Sequence, residues 1–344
     1  MIEPWYSDDD ATLYLGDAAE QLAALPPASA QCLVTSPPFW NLRDYGVEGQ
    51  IGVEATPEEW VERLVAVMRE AKRVLAPDGV CWIEVGDTYA TKPNNNAYHG
   101  KGVDTSGLAG GGDYQAAARA LGETGPPPGC KAKDLVGAPW LLAFALRADG
   151  WYLRSDTIWA RPNPMPESVT DRPTKAHSYV FLLTKSARYY YDADAISEPV
   201  LPDSIARADR GSRYDDPLVR ASVPYAAPRP RVKKRTVREG VDTNGGGQGS
   251  GSMTWGDRAN ARSVWTIPTE STAFDHYAVM PMRLATKCIL AGSRPGDAIL
   301  DPFMGSGTTA LSARRCGRRS IGIELNEASL AIAADRLAQQ GIGA

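Results

Sequence analysis

Two separated stretches of the chain carry side chains that could do chemistry on a flat, nitrogen-bearing ring. The first follows the apolar run at 32–34 and reads Thr35-Ser36-Pro37-Pro38-Phe39-Trp40. The Ser36 hydroxyl and the Pro37 carbonyl are hydrogen-bond acceptors on a backbone that two consecutive prolines stiffen. Such acceptors suit an exocyclic amine, which is a poor nucleophile because its lone pair is delocalised into the ring. Phe39 could stack on a base taken out of a duplex, and an ordinary strand-ending turn is the structural alternative.

The second stretch follows the apolar run at 298–300 and extends from Asp301 to Thr309, with the sequence Asp-Pro-Phe-Met-Gly-Ser-Gly-Thr-Thr. Its glycines let the backbone approach a ligand, and the two threonines open a helix with free amides. Glu324 ends the next apolar run, about 20 residues on, where an acid holds a ribose in dinucleotide-binding folds. We therefore predict a ribose-bearing cofactor, with a glycine turn that serves only packing as the alternative. No Gly-Lys-Thr/Ser follows the turn, which disfavours a phosphate-binding P-loop.

We predict that a sheet covered by helices positions these stretches. The first 90 residues alternate strand, turn and helix, which is typical of such a fold. The clearest helix has Thr56 as its N-cap, Pro57 in its first position and Glu59 as a capping-box residue, and Pro77-Asp78-Gly79 is predicted to stop it. The other predicted helices are 138–148, 277–291, 308–315 and 327–340. The other predicted strands are 80–85, 151–159, 178–184, 298–300 and 320–324.

Two long stretches, 91–133 and about 194–262, lack an apolar period and are rich in glycine and polar residues. The second contains a basic run with the residues Arg229, Arg231, Lys233, Lys234 and Arg235. We predict that this second stretch recognises nucleic acid through the basic run, since uncovered loops of this size are usually functional. A disordered linker with a solvated charge run is the alternative.

Composition places the chain among ordinary globular proteins, with 344 residues, 43% hydrophobic and 23% charged, and a net charge of -4. No apolar run approaches the roughly 18 residues that span a membrane, and the acidic start lacks a targeting signal, so we predict a cytoplasmic protein. The five cysteines form no Cys-x-x-Cys pair, which argues against a metal site or a disulfide framework. Cys32, Cys81 and Cys288 have apolar neighbours and are predicted to be core residues.

The stretch 301–309 resembles the S-adenosylmethionine loop of the β-class DNA amino-methyltransferases, whose pattern Asp-Pro-Phe-x-Gly-Ser-Gly-Thr-Thr it matches throughout. The early motif and its continuation 40–46 are similar to the cytosine-N4 branch of that class. The adenine-N6 branch more often carries Asp or Asn in place of Ser36. The segment 159–167 also resembles the family and is predicted to shape the base pocket. This resemblance implies an α/β, Rossmann-like S-adenosylmethionine-dependent methyltransferase sheet in the permuted β-class order, with an inserted target-recognition segment.

The resemblance and the motifs together imply the site residues and the domain organisation. The predicted catalytic residues are Ser36, Pro37, Pro38 and Phe39. The predicted cofactor residues are Asp17, His276, Asp301, Phe303, Gly305, Ser306, Gly307, Thr308 and Glu324; Asp17 could equally be only a helix cap, and His276 only a packing residue. We predict that residues 1–192 form the catalytic half with an irregular insertion at 91–133, residues 193–264 the recognition insertion, and residues 265–344 the cofactor half.

These features predict a site-specific DNA methyltransferase that uses S-adenosylmethionine and acts on the N4 amine of a flipped cytosine in double-stranded DNA. An adenine-N6 enzyme of the same class is the nearest alternative. More remote alternatives are a nicotinamide-dependent oxidoreductase and a DNA-binding module without catalysis. The sequence leaves open a homodimer, a cognate restriction endonuclease and the recognition sequence.

Overall fold

A computed structural model of the 344-residue chain describes residues 2–90, 125–200, 258–270 and 280–341. Its strands are β1 (Tyr6–Ser7), β2 (Ala11–Leu15), β3 (Ala30–Thr35), β4 (Leu75–Val85), β5 (Tyr152–Ala160), β6 (His177–Thr184), β7 (Glu198–Pro199), β8 (Arg258–Ala259), β9 (Val264–Thr266), β10 (Ala298–Asp301) and β11 (Arg319–Glu324). Its helices are α1 (Ala18–Ala24), α2 (Pro57–Val74), α3 (Ala138–Ala148), α4 (Met282–Gly292), α5 (Thr308–Arg315) and α6 (Glu327–Gly341). The α/β class predicted from the sequence is confirmed.

Nine of the eleven described strands form one sheet, in the order β1-β2-β11-β10-β3-β4-β6-β5-β9. The central strands β2, β11, β10, β3 and β4 are parallel, and β6 pairs antiparallel with both β4 and β5. The carboxyl ends of the parallel strands therefore meet at one edge, and β6 begins at that same edge. Both predicted chemical stretches follow strands that end there.

The two stretches are distant in sequence and adjacent in the sheet, because β3 pairs with β10 in the register Cys32 to Ile299 and Leu33 to Leu300. From β3 the chain continues to β4 on one side, and from β10 it continues to β11 on the other side. In open α/β sheets, the crevice at such a reversal of strand order is where ligands bind. The pairing places the early motif and the late glycine turn side by side at this reversal.

Both faces of the sheet are covered, as the continuous apolar runs of its strands require. Leu33 belongs to a core cluster with buried residues of α1, α2 and α3. On the opposite face a Cβ added to Gly292 of α4 would lie 2.6 Å from the Cys32 sulfur. Cys32, Cys81 and Cys288 are all buried, and burial raises the pKa of each thiol well above its usual value. Their prediction as core residues is confirmed.

Most predicted elements lie within a residue or two of their observed bounds, and two differ for identifiable reasons. Helix α2 begins after the Thr56 cap, whose hydroxyl accepts from the Glu59 amide at 3.2 Å. It ends at Val74, so the prediction that the Pro-Asp-Gly turn stops it was wrong; residues 75–79 belong to the irregular start of β4. Helix α4 begins at Met282 instead of 277, because Pro281 is its extended N-cap and proline disfavours helical geometry in the residue before it.

The chain divides into two compact units, one of Met1–Ile196 with Arg262–Ala344 and one of Ser197–Ala261. In the second unit β7 and β8 pair antiparallel, with Glu198 opposite Ala259. The predicted insertion 193–264 spans this unit, and its role in recognition stays a prediction. Among the described residues, no helix is long and apolar enough to cross a membrane.

Candidate active site

The early motif forms a rigid corner at the end of β3. Thr35, the last residue of the strand, donates its hydroxyl hydrogen to Asp301 Oδ1 at 2.6 Å, which ties this corner to the start of the late motif. The Trp60 indole of α2 donates to the Pro38 carbonyl at 2.9 Å. A buried indole hydrogen bond of this kind fixes the backbone on which Ser36 and Pro37 stand.

Phe39 has its position set by a glycine that the sequence argument did not single out. Gly86 follows the last residue of β4, and a Cβ added to it would lie 2.8 Å from Phe39 Cε2. No real side chain tolerates that distance, so the phenyl ring fills the place of the missing Cβ. Gly86 therefore leaves room for the ring at the end of the neighbouring strand.

The Ser36 hydroxyl donates to Glu84 Oε2 at 2.6 Å. Glu84 is only 4% exposed, and burial raises the pKa of its carboxyl, opposed by hydrogen bonds from Ser36 and Ser178 and by the charge of Arg161. Sequence reasoning missed Glu84, because it was counted as part of the apolar strand run 80–85. The available signal was a single acid inside an otherwise apolar strand, directly beside the strand of the serine.

The late motif folds as the predicted glycine turn between β10 and α5. Gly305 and Gly307 have φ angles of +50° and +83°, the left-handed region that glycine adopts freely. A Cβ on Gly307 would lie 2.9 Å from the Ala333 Cβ, so this glycine lets α5 pack closely against α6. Arg336 of α6 donates to the Ser306 hydroxyl at 3.1 Å, which holds the turn from behind.

Two acids bracket this turn. Asp301 accepts hydrogen bonds from the Thr35 hydroxyl at 2.6 Å and the Phe303 amide at 3.1 Å, and burial nevertheless raises its pKa to about 6. Glu324 accepts from the backbone amides of Gly305 and Asn326, each at 2.8 Å. Burial raises the pKa of Glu324 as well. Its carboxylate is thus held against the glycine turn by two fixed peptide groups.

One open cleft brings most of the predicted site residues together. Its lining includes the predicted residues Asp17, Ser36, Pro37, Pro38, Phe39, Asp301, Phe303, Gly305, Ser306, Thr308 and Glu324. Gly307 is absent from this lining, in keeping with its packing contact. The segment 159–167, predicted to shape the pocket, also contributes no lining residue, and its Arg161 instead contacts Ser178.

Comparison with known proteins shows the family to which the chain belongs. The model of the N6/N4 DNA methylase family matches residues 30–335. The chain belongs to this DNA methylase family. The type II methyltransferase M.Cfr9I of Citrobacter freundii is 40% identical over 328 residues, which are 95% of this chain and 87% of that protein. M.SmaI of Serratia marcescens is 38% identical over 326 residues, 94% of this chain and 90% of that protein.

Solved structures show the same fold as this methylase. The PvuII DNA methyltransferase (cytosine-N4-specific) superposes with a TM-score of 0.59 at 17% identity, covering 97% of this chain and 88% of that one. TTHA0409 of Thermus thermophilus, complexed with S-adenosyl-L-methionine, gives a TM-score of 0.54 at 23% identity, covering 96% and 95%. At these identities the likeness is one of fold. The Rossmann-like methyltransferase fold that the family resemblance predicted is thus confirmed.

The residues of the methylase fit the cofactor that its motifs imply. The Thr308 hydroxyl is buried with no hydrogen-bond partner among the described residues, and it lies on the cleft. A buried hydroxyl of this kind calls for a ligand partner, since leaving it unpaired costs roughly 1–3 kcal/mol. Asp17 lies on the same cleft and also caps α1, accepting from the Ala19 amide at 2.8 Å.

A loop at 42–51 of the methylase forms a further wall of the cleft that sequence reasoning missed. Gln50, only 8% exposed, organises it by accepting from the Tyr45 amide at 2.8 Å and donating to the Arg43 carbonyl at 3.3 Å. Arg63 of α2 anchors the same loop through the Gln50 carbonyl at 2.8 Å.

His276 and the basic run at 229–235 lie outside the described residues, so their predicted roles stay predictions. No cluster of potential metal ligands occurs in the described ranges.

Proposed function

We propose that this DNA methylase transfers a methyl group from S-adenosylmethionine to the exocyclic N4 amine of a cytosine flipped out of duplex DNA. The observation that carries the proposal is the hydrogen bond from Ser36 to the buried Glu84, 2.6 Å long, at a cleft shared with the glycine turn. The family match gives the DNA methylase class. The choice of cytosine rests on a neutral hydroxyl at the position where the adenine branch more often has an acid or an amide.

The hydroxyl at this position can relay a proton. Ser36 donates its own hydrogen to Glu84, which leaves the lone pairs of its oxygen available to the amine of a bound base. When the amine N–H bond breaks, the Ser36 oxygen takes that proton and passes its original proton to Glu84 Oε2. The nitrogen keeps the electron pair of the N–H bond for its new bond to the methyl carbon, while the electron pair of the broken carbon–sulfur bond stays on the sulfur. Glu84 becomes neutral until it releases the proton to solvent.

The remaining lining residues position the reactants. S-adenosylmethionine is the cofactor, and when bound it supplies a methyl group on a positively charged sulfur. Thr308 offers its unpaired hydroxyl, and Glu324 keeps the glycine turn in place through the Gly305 amide. Phe39, seated on Gly86, offers a face for the flipped base. Holding the reacting atoms in line supplies much of the acceleration in such a transfer.

The test is to incubate the protein with unmethylated duplex DNA of mixed sequence and with cofactor labelled in its methyl group, then to analyse the nucleosides. We expect labelled N4-methylcytosine, and no label with the Ser36→Ala variant. Labelled N6-methyladenine alone would assign the chain to the adenine branch, which the family model also includes. Failure of any DNA to take label, with the cofactor measurably bound, would contradict the proposed function.

DNA contact through the basic run is a separate part of the proposal. Replacing Arg231, Lys233, Lys234 and Arg235 with glutamine should weaken DNA binding and flatten its dependence on salt. The logarithmic slope should fall by about 0.9 for each phosphate that the protein no longer neutralises. Titrations at several salt concentrations measure this slope, and an unchanged slope would exclude the run from the interface.

The names of the type II relatives also support a cognate restriction endonuclease as a proposed partner.

A further inference from the structure

Behind Glu84 lies a second layer of polar residues that the relay itself does not use. Glu84 on β4 is opposite Val180 on β6, so Ser178, two residues earlier, lies on the same face of the sheet. Ser178 is 1% exposed, and its side chain hydrogen-bonds the Glu84 carboxylate. Arg161 follows β5 next to the pair Ala160 and His177, and its Nη1 donates to the Ser178 oxygen at 3.0 Å.

The direction of each hydrogen in this layer is determined by the types of the groups. A guanidinium only donates, so Ser178 must accept from Arg161 and is left with its own hydrogen for the carboxylate. Arg161 is held in turn by the His177 carbonyl, which accepts from Nη2 at 3.0 Å, and by the Trp159 ring, 5.2 Å away. Glu84 thus receives one hydroxyl hydrogen from the cleft side and one from the arginine side.

Charge acts in the same direction as these hydrogen bonds. An isolated buried carboxylate would take up a proton, and the positive charge of Arg161 opposes that uptake at Glu84, while burial lowers the pKa of Arg161 itself. Other charged groups at this end of β6 are Lys175, whose pKa burial lowers to about 8, and Asp87, which faces it. His177 has its pKa lowered by burial and by the charges of Lys175 and Arg161.

We propose that Arg161 and Ser178 are positioning residues that keep the Glu84 carboxylate charged and aimed at Ser36, ready to take the relayed proton. The inference rests on the proposed function, because it assigns these residues a part in the same proton transfer. Neither residue touches the base or the cofactor in this scheme. They affect the reaction only through the charge and position of Glu84. Their removal should therefore change how kcat depends on pH.

The first experiment compares the pH profile of kcat for the full chain and for Arg161→Gln, with labelled cofactor and a DNA that the wild type methylates. Without the arginine, Glu84 holds its proton to higher pH and cannot accept another. We expect the acid limb to move up by about one pH unit or more, a loss of roughly tenfold below the limb, with unchanged cofactor affinity. Arg161→Lys, which keeps the positive charge, should return the acid limb most of the way to its wild-type pH. Ser178→Ala should move the limb in the same direction as Arg161→Gln, by a smaller amount.

The matched control is Arg69→Gln, which removes the same charge from a side chain that is 62% exposed and pairs with Asp149. It should leave the limb in place. Thermal unfolding shows whether each variant is folded. If Arg161→Gln does not fold, the shift of the acid limb in Ser178→Ala, which alters little volume, tests the inference. A uniform loss of kcat at all pH values with an unmoved limb would overturn the inference.

A second readout does not depend on turnover. Difference infrared spectroscopy detects the carbonyl band of a protonated carboxyl, and the band that vanishes in Glu84→Gln belongs to Glu84. Its titration should move to higher pH in Arg161→Gln and return with Arg161→Lys; an unmoved band would contradict the inference. If the band shifts as expected but the wild type methylates no DNA, the proposed function is wrong, while the effect of Arg161 on the protonation of Glu84 is confirmed.

Discussion

Glu84, which is buried, and Glu324, which is partly exposed, are two acids at the same edge of the sheet, and they differ in what surrounds them. Glu84 lies near the end of β4 on the catalytic side of the cleft. Its partners there are the hydroxyls of Ser36 and Ser178 and the guanidinium of Arg161. Glu324 ends β11 on the cofactor side, where it accepts from two backbone amides. Burial raises the pKa of both carboxyls. The cost of burial is thus offset by side chains at Glu84 and by the backbone at Glu324.

The difference separates proton transfer from positioning. A hydroxyl can accept one proton while it donates another, so the partners of Glu84 can carry a proton. A peptide amide only donates and keeps its hydrogen, so the partners of Glu324 can hold geometry and no more. A substitution on the first side should therefore change turnover, and a substitution on the second side should change cofactor affinity.

Ser36→Ala should give the largest effect. It removes the only atom that joins the amine to Glu84 in the proposed relay, and kcat should fall by about 10²–10⁴, the range that positioned acid–base groups contribute. Cofactor affinity should stay nearly unchanged, because the hydroxyl donates its hydrogen to Glu84. Single-turnover rates and equilibrium cofactor binding measure the two quantities. Equal losses in both would break the separation of the two sides.

Asp301→Asn should remove a pH dependence of stability. Burial raises the Asp301 pKa from 3.8 to about 6, so the folded protein binds this proton more tightly than the unfolded chain. The resulting stability is complete below pH 3.8 and is lost as the pH rises through about 6, on the order of 3 kcal/mol. Urea unfolding at several pH values should show this loss in the wild type and a smaller one in the variant. Parallel curves would assign the titration to other groups.

Glu324→Ala should mainly weaken cofactor binding. Loss of the carboxylate frees the Gly305 amide and loosens the turn, and a hydrogen bond to a charged group contributes about 1.5 kcal/mol or more, roughly tenfold in affinity. Calorimetric titration with the cofactor measures the change. At saturating cofactor, kcat should stay within a few-fold of the wild type. A collapse of kcat at saturation would mean that this acid takes part in the chemistry.

Gly86→Ala should give the smallest effect and sharpen the catalytic side. The added Cβ would lie 2.8 Å from Phe39 Cε2, so the ring must turn away from the end of β4. We expect a loss of about threefold to tenfold in kcat/KM for DNA, in line with a modest stacking contribution of ~1 kcal/mol, and no change in cofactor affinity. Phe39→Leu is the matched variant, and the double variant should lose little more than either alone. Additive losses would place Gly86 and Phe39 in separate roles.

Local signals in the sequence predicted the elements well where one residue type decides a boundary. Thr56 and Pro57 define the start of α2, and the glycines of the late motif define the turn before α5. Where a prediction was wrong, the deciding interaction was with a strand or a proline cap. Residues 75–79 joined β4 because β3 pairs with it from Ala30 onward, a partner that no local pattern reveals.

The sequence by itself determined the two motifs, the class of cofactor and the family, because each of these depends on residues close together in the chain. Only the tertiary structure decided which groups work as one. Ser36 meets Glu84 across neighbouring strands, and Arg161 reaches Glu84 through Ser178 from two strands further along. Pairing of β3 with β10 likewise brings Thr35 to Asp301. Such contacts follow from strand order and register, which long-range packing sets and which no local spacing encodes.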